Sequence, residues 1–371
     1  MGKPTPHIST DRNGIIENRH SIHAAIVTST GTLLTSTGDP TRLTLPRSAI
    51  KPAQALAILS TGALEQFSLD EEDLALICAS HSSEERHLAR ARSMLAKVSA
   101  VEADLRCGGH EALNAGVNRE WVRRGFVPTA ICNNCSGKHA GMIGGARALG
   151  VGIGEYHLPR HAMQERVREV VGDLGGFEGE EREPGGGTLL WGVDGCNLPA
   201  PALPLGRLGR IYAGFAAAAD VVEGGDGDGD GGGGGGGLVS GRERDMGRIF
   251  QAMTRYPELV GGEGRFCTAL MRVYQGMLIG KVGADGCYGV GIRASEDTRR
   301  LGADGAIGIA VKIEDGNREV LYSAVVEILA QLDIGTPEMR RELAKFHRPN
   351  IVNTAGVVTG SYTHRFLLAS P

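Results

Sequence analysis

The sequence predicts a mixed α/β fold, laid out as a single unit over residues 1–371. Two observations carry this expectation. Segments with apolar residues at helical spacing alternate with short β-branched runs along the chain. Compositional breaks between them are few, and the alternation argues against an all-α or an all-β architecture. With 41% hydrophobic and 22% charged residues, the composition is that of an ordinary globular chain.

The elements follow in order. HAAIVTSTGTLLTS (23–36) holds two β-branched runs around Ser29-Thr30-Gly31, a β-hairpin pattern. SAIKPAQALAILSTGA (48–63) has helical periodicity, with Gly62 as a stop and Pro52 in its opening turns. ALICAS (75–80) is expected to be a short buried strand. EERHLARARSMLAKV (84–98) is an amphipathic helix, SGKHAGMIGGARAL (136–149) a helix of small residues, and AMQERVREVVGDL (162–174) another helix. These suggest a helical lobe around 84–175. MGRIFQAMTRYPELV (246–260) is a helix stopped near Pro257, and ALMRVYQ (269–275) a helical piece. Strands are expected at 277–283, 287–292 and 307–313, the last two adjacent, before a long apolar helix at 319–333.

The clear interruption is EGGDGDGDGGGGGGG (223–237), which cannot bury enough apolar surface to offset its ordering entropy. It is expected to be a flexible surface insertion. A phosphate loop would need a strand before it and Lys-Ser or Lys-Thr after it, and a calcium loop a closing Glu. GGFEGEEREPGGG (175–187) is a weaker break of the same kind.

The net charge of −4 offers no field for nucleic acid or anionic membrane. No apolar run approaches the roughly 18 residues of a membrane helix. The N-terminus, MGKPTPHISTDRNG, has no apolar signal core, so a cytoplasmic location is expected. Seven cysteines, an odd count in a long chain, point away from a disulfide scaffold and toward metal binding, catalysis or burial.

Four constellations carry chemistry. In Arg47-Ser48-Ala49-Ile50-Lys51, the i and i+3 positions of a helix share a face, so Ser48 and Lys51 can meet. A serine hydroxyl needs a base to accept its proton, and a lysine serves when burial or a second cation favours its neutral form. Ser-x-x-Lys is short and common by chance, and taken alone it reads as the start of an ordinary exposed helix. Ala79-Ser80-His81-Ser82-Ser83-Glu84 follows the expected buried strand; Ser82 or Ser83 would cap the next helix, which leaves Ser80 unexplained. His81 could be a base, though on sequence alone a satisfied structural histidine is the better reading. Cys132-Asn133-Asn134-Cys135 could be redox-active or half of a zinc site, or simply two buried cysteines. No second Cys-x-x-Cys exists, and Asp194-Gly195-Cys196 is the best distant source of further ligands. Lys281, between two strand-like runs, is either a lysine on an edge strand facing the serines or a solvated hairpin lysine.

Taken together these stretches resemble the class 3, or rhizobial-type, L-asparaginases. The resemblance rests on an ordered series: ENRH (17–20), PRSAIKPAQAL (46–56), ASHSSEERH (79–87), LRCG (105–108), CNNCSGKHAGM (132–142), VDGCNLPAPALPL (193–205), GKVGADGCYGVGI (280–292), GIAVKIEDG (308–316) and HRPNIVNTAGVVTG (347–360). It implies a fold similar to serine β-lactamases and glutaminases, a central sheet flanked by helices with a helical part. It implies two serine–lysine tandems, Ser48/Lys51 and Ser80/Lys281, with Ser48 the favoured nucleophile. It implies zinc held by Cys135, Lys138 and Cys196, with Asp194 close by and zinc not itself the catalyst. Arg47, His81, Glu84 and Asp194 are candidates to bind the substrate, L-asparagine, and a homodimer is expected. The competing expectations are a glutaminase or β-lactamase-like hydrolase sharing the serine–lysine core, and a non-enzymatic zinc or redox protein resting on Cys-x-x-Cys.

Overall fold

Runs rich in Ile, Val and Thr pack well on a pleated, half-buried surface, and here they build an antiparallel sheet. The computed structural model describes residues 5–179, 188–225 and 239–370. Its contacts separate into two compact units: Met1–Ala49, Ala202–Ala217 and Val273–Pro371 form one, and Ile50–Pro201 with Ala218–Arg272 form the other. The mixed α/β expectation holds.

The first unit is organised by strands. β1 (His7–Arg12), β2 (Ile15–Thr28), β3 (Leu33–Thr37) and β4 (Leu43–Thr44) come first. β5 (Leu190–Val193) belongs to the other unit, and β6 (Pro199–Pro204) returns to pair its end with β4. β7 (Leu278–Gly283), β8 (Cys287–Ile292) and β9 (Ile307–Ile313) follow, then β10 (Ile351–Val352), β11 (Val358–Gly360) and β12 (Tyr362–Arg365). The large sheet has the order β12-β1-β2-β9-β8-β7, with β3 beside β2. The long β2 serves two neighbourhoods: its first half pairs with β1, its second half with β3 and β9. The 23–36 hairpin and the adjacency of β8 and β9 are thus as expected.

Alternation along β8 sends its two faces to different helices. Gly289 and Gly291 lie against Tyr212 of the Leu205–Gly225 helix. Tyr288 points the other way and meets Tyr322 of the Arg318–Gln331 helix edge-on, ring centroids 6.3 Å apart. A side chain at Gly308 would come within 1.8 Å of the Gly209 carbonyl, so helix and sheet meet backbone to backbone there.

The second unit is helical. The Ser136–Ala148 helix is buried from Ser136 through Ala146. Its glycines admit neighbours on every side: Gly137 meets the Leu76 backbone, Gly141 meets Ile58 and Ile77, and Gly145 meets Met163. Those residues belong to the Lys51–Leu59, Glu71–Ile77 and Ala162–Gly175 helices.

Three expectations are corrected. Residues 75–80 are not a strand. Glu71–Ile77 is a helix opened by a reciprocal cap between Asp70 and Asp73, and Cys78–Ser80 continue as buried coil. A short apolar run buried all round has no readable period, which is why the sequence pattern misleads. Neither Ser82 nor Ser83 caps the next helix; Glu84 does, in exchange with His87. Residues 223–225 continue a helix rather than opening the insertion; residues 226–237 of the insertion, and 180–187 of the weaker break, lie outside the described residues.

Candidate active site

In the helical unit, Lys51 opens the Lys51–Leu59 helix, and Pro52 falls in its first turn, where a missing N–H costs nothing. Lys51 is completely buried. Its Nζ donates to the Ala79 carbonyl and lies 3.1 Å from Ser80 Oγ. Ser80 itself is 6% exposed.

The segment carrying Ser80 is pinned at every residue. The Ser80 N–H donates to the Val260 carbonyl at 3.0 Å and the His81 N–H to Asn134 at 3.2 Å. Ser82 Oγ donates to the Gly261 carbonyl at 2.7 Å and Ser83 Oγ to the Cys132 carbonyl at 2.8 Å. Gly262 has φ +110, and a side chain there would strike Ser82 Oγ at 2.3 Å. Loop residues held this firmly are what a positioned hydroxyl requires.

In the sheet unit, Ser48 sits in the 3₁₀ turn Arg47–Ile50. Arg47 adopts φ +50, a left-handed conformation that costs energy for a non-glycine residue. The turn is held by Tyr212, whose buried hydroxyl donates to the Ala49 carbonyl at 2.6 Å. It is also held by Arg47, which pairs with Asp285 at 2.6 Å. A side chain at Gly283 would meet the Pro46 carbonyl at 2.0 Å and the Ala49 nitrogen at 3.2 Å. The Pro46–Ala49 turn therefore lies directly on β7. Lys281, two residues earlier, points to the same face of that strand. It is fully buried on an edge strand, with Nζ donating to Val282 O at 2.8 Å, so it is not a solvated hairpin lysine.

Within the units, the structure thus joins Lys51 to Ser80 and lays the Ser48 turn on the strand face that bears Lys281. Sequence spacing paired Ser48 with Lys51, and the family resemblance paired Ser80 with Lys281.

His81 is buried with both ring nitrogens used. Nδ1 accepts the Ser83 N–H at 3.2 Å, so Nε2 carries the hydrogen and donates to Ser136 Oγ at 2.9 Å. It stacks on His87, centroids 5.3 Å apart. Burial, then the charges of His87 and Lys51, holds it well below the ordinary histidine range. This is the arrangement of a structural histidine. Glu84, besides capping its helix, accepts from the Glu263 N–H at 3.0 Å and from Asn114 at 3.3 Å.

Cys135 and Cys196 face each other beside Lys138. The Cys135 thiol hydrogen-bonds Cys196, and Lys138 Nζ donates to Cys196 Sγ at 3.3 Å. That bond, and then the lysine charge, draws Cys196 below the ordinary thiol range, while the same bond and burial push Cys135 up. Burial alone would lower Lys138, but the charges of Cys196, Cys135 and Asp194 outweigh it and leave it raised. Two sulfurs and an amine, buried and converging, are a donor set that suits zinc. No third cysteine, histidine or carboxylate joins the two sulfurs among the described residues. All seven cysteines are free thiols, so Cys132 and Cys135 form no disulfide.

Sequence reading missed three supports of this arrangement. Asn133 donates to the Cys107 and Gly108 carbonyls at 3.0 and 3.1 Å while accepting the Cys135 N–H at 2.9 Å. Thr268 Oγ1 reaches the Pro257 and Gly262 carbonyls at 3.0 and 2.8 Å. Tyr212 anchors the Ser48 turn. Only Asn133 carried a signal, its place inside the Cys-x-x-Cys.

A fully buried lysine amine beside a serine hydroxyl on a firmly held loop is an arrangement that a hydrolase can use. The model of the L-asparaginase II family matches residues 8–364, and the chain belongs to that family, the rhizobial-type class 3 L-asparaginases. It is therefore an L-asparaginase, an amidohydrolase acting on a linear amide. No curated protein matches the chain. Among the described residues no helix is long and apolar enough to cross a membrane.

Proposed function

We propose that the chain hydrolyses L-asparagine to L-aspartate and ammonia through a serine ester. The observation that carries the reading is the fully buried Lys51 amine 3.1 Å from Ser80 Oγ. An amine held at hydrogen-bond distance from a hydroxyl is placed to exchange a proton with it. Ser48 is the nucleophile, with Lys51 its base; Ser80 and Lys281 relay the proton and tune Lys51. The serine oxygen attacks the side-chain amide carbon, and the proton it gives up passes to the departing nitrogen. Ammonia leaves, and water hydrolyses the β-aspartyl ester. Backbone N–H groups at the start of the Ser48 helix stabilise the oxyanion.

In this reading the sheet with helices on both faces is of the serine β-lactamase and glutaminase kind, and the enzyme works as a cytoplasmic homodimer. Arg47, Glu84 and Asp194 hold the substrate, directly or through the loops they fix, while His81 holds the Ser80 loop. Cys135, Lys138 and Cys196 hold zinc, which when bound orients substrate and shapes the cavity. The test is ammonia release from asparagine and glutamine by Ser48→Ala and Ser80→Ala, with intact-mass trapping of the ester. An ester on Ser48 that vanishes in Ser48→Ala supports the reading. Both variants retaining near-native rates would end it.

A further inference from the structure

Three stretches of the sheet unit bring a carboxylate and two imidazoles to one point. Glu327 comes from the Arg318–Gln331 helix, His347 from the end of the Ala344–His347 turn, and His364 from β12. One ligand atom from each lies within 4.8 Å of the other two. Glu327 Oε2 is 2.7 Å from His347 Nε2 and 3.2 Å from His364 Nδ1. Its other oxygen is fixed by Gln331 Nε2 at 3.1 Å. The His347 and His364 rings stack with centroids 5.1 Å apart.

Hydrogen accounting exposes a mismatch. The single hydroxyl hydrogen of Ser323 goes to the His347 carbonyl. His364 Nε2, 2.8 Å from that hydroxyl oxygen, must therefore donate its own hydrogen to it. In the neutral ring Nδ1 is then a bare lone pair. The side chain is 3% exposed, and Nδ1 has no hydrogen-bond partner although it faces a carboxylate oxygen. Two electron-rich atoms face each other with no hydrogen between them. A cation on their common side removes the repulsion and satisfies both. Arg348, 3.7 Å from Glu327 Oε2, lies too far and too exposed to do this.

We propose that Glu327, His347 and His364 bind a divalent cation of the zinc class, remote in sequence from the Cys135–Lys138–Cys196 group. Imidazole and carboxylate suit such an ion, and Gln331 and Ser323 provide the outer hydrogen bonds that fix ligand orientation. Zinc bonds of ~2.0–2.1 Å at a tetrahedral angle put ligand atoms about 3.3 Å apart, close to the 3.2 Å between Glu327 Oε2 and His364 Nδ1 and longer than the 2.7 Å to His347 Nε2, which would open slightly. The ion ties β12 and His347 to the central helix, with a fourth position open toward solvent beside the partly exposed Glu327 and His347.

Zinc content of the full chain decides it, measured by elemental analysis after stripping with chelator, zinc reloading and dialysis. A Cys135→Ala/Cys196→Ala protein should keep one equivalent and lose it when His347→Gln or Glu327→Gln is added, each variant being checked for native circular dichroism. No zinc in the double-cysteine protein, or zinc unchanged by both further substitutions, overturns the proposal. Should those variants misfold, X-ray absorption of the zinc-loaded double-cysteine protein still decides: two imidazoles support the site, and a shell without imidazole overturns it.

Discussion

At the scale of single residues, the molecule spends buried charge in few places. Lys51, Lys138 and Lys281 are each completely buried. Burying a lysine amine is costly unless polar partners repay it, and here they are carbonyls for Lys51 and Lys281 and a sulfur for Lys138. Lys51→Met should cut asparagine turnover by ~10²–10⁴-fold, the usual worth of a general base. Lys281→Met should fall in the same range, and a single-turnover measurement would place both losses in ester formation. Ser48→Ala should remove at least ~10³-fold of kcat, as loss of a nucleophile does. Cys135→Ala, read by elemental analysis beside steady-state kinetics, should bind one zinc equivalent fewer than the unaltered chain and raise KM more than it lowers kcat. A fall in kcat as deep as that of Ser48→Ala would make zinc part of the chemistry.

At the scale of elements, positions without side chains do the fitting. Gly308 lets β9 touch the Leu205–Gly225 helix at Gly209, where a Cβ would lie 1.8 Å from a carbonyl oxygen. Gly308→Val should therefore destabilise the fold by more than about 3 kcal/mol, the range for overpacking a site that cannot relax, measured by urea unfolding. Periodicity made most helices and the strands β2, β3, β7, β8 and β9 legible, because long patterned segments declare their buried face. It failed at residues 75–80, which are buried at every position, and at β1 and β12, whose residues HISTDR and YTHR are mostly polar. The chemical residue types of the site were legible, since serines, lysines and cysteines in short motifs can be read directly. Their contacts were not: Lys51 meeting Ser80 depends on a coil bringing residues 29 positions apart together, and Tyr212 on a helix with no motif.

At the scale of the whole molecule, acid should act on the helical unit through the loop that carries Ser80. His81 and His87 each accept a backbone N–H at Nδ1, from Ser83 and Glu84, so protonating either ring breaks a bond that fixes the Ser80 loop. Burial lowers both, although for His87 its bond to the Glu258 carbonyl and the charge of Glu84 oppose it. Their unfolded forms take up protons near pH 6.5, before the folded forms do. Stability is thus complete above about pH 6.5 and falls below it, by about 1.4 kcal/mol per pH unit for each histidine. Urea midpoints at neutral and mildly acidic pH should show the decline, and His87→Asn should flatten it. The division of the chain also has a consequence for its birth. The sheet unit is assembled from three separated segments, and β1 waits for its partner β12 near the far end, with His7 opposite Arg365. The helical unit draws nothing from beyond Arg272. On the ribosome the helices can therefore close around Ser136–Ala148 while half the strands are still unmade, and the sheet can be completed only once β12 has emerged. Protease digestion of chains stalled within β9 should leave the helical unit protected and the N-terminal strands open to cleavage.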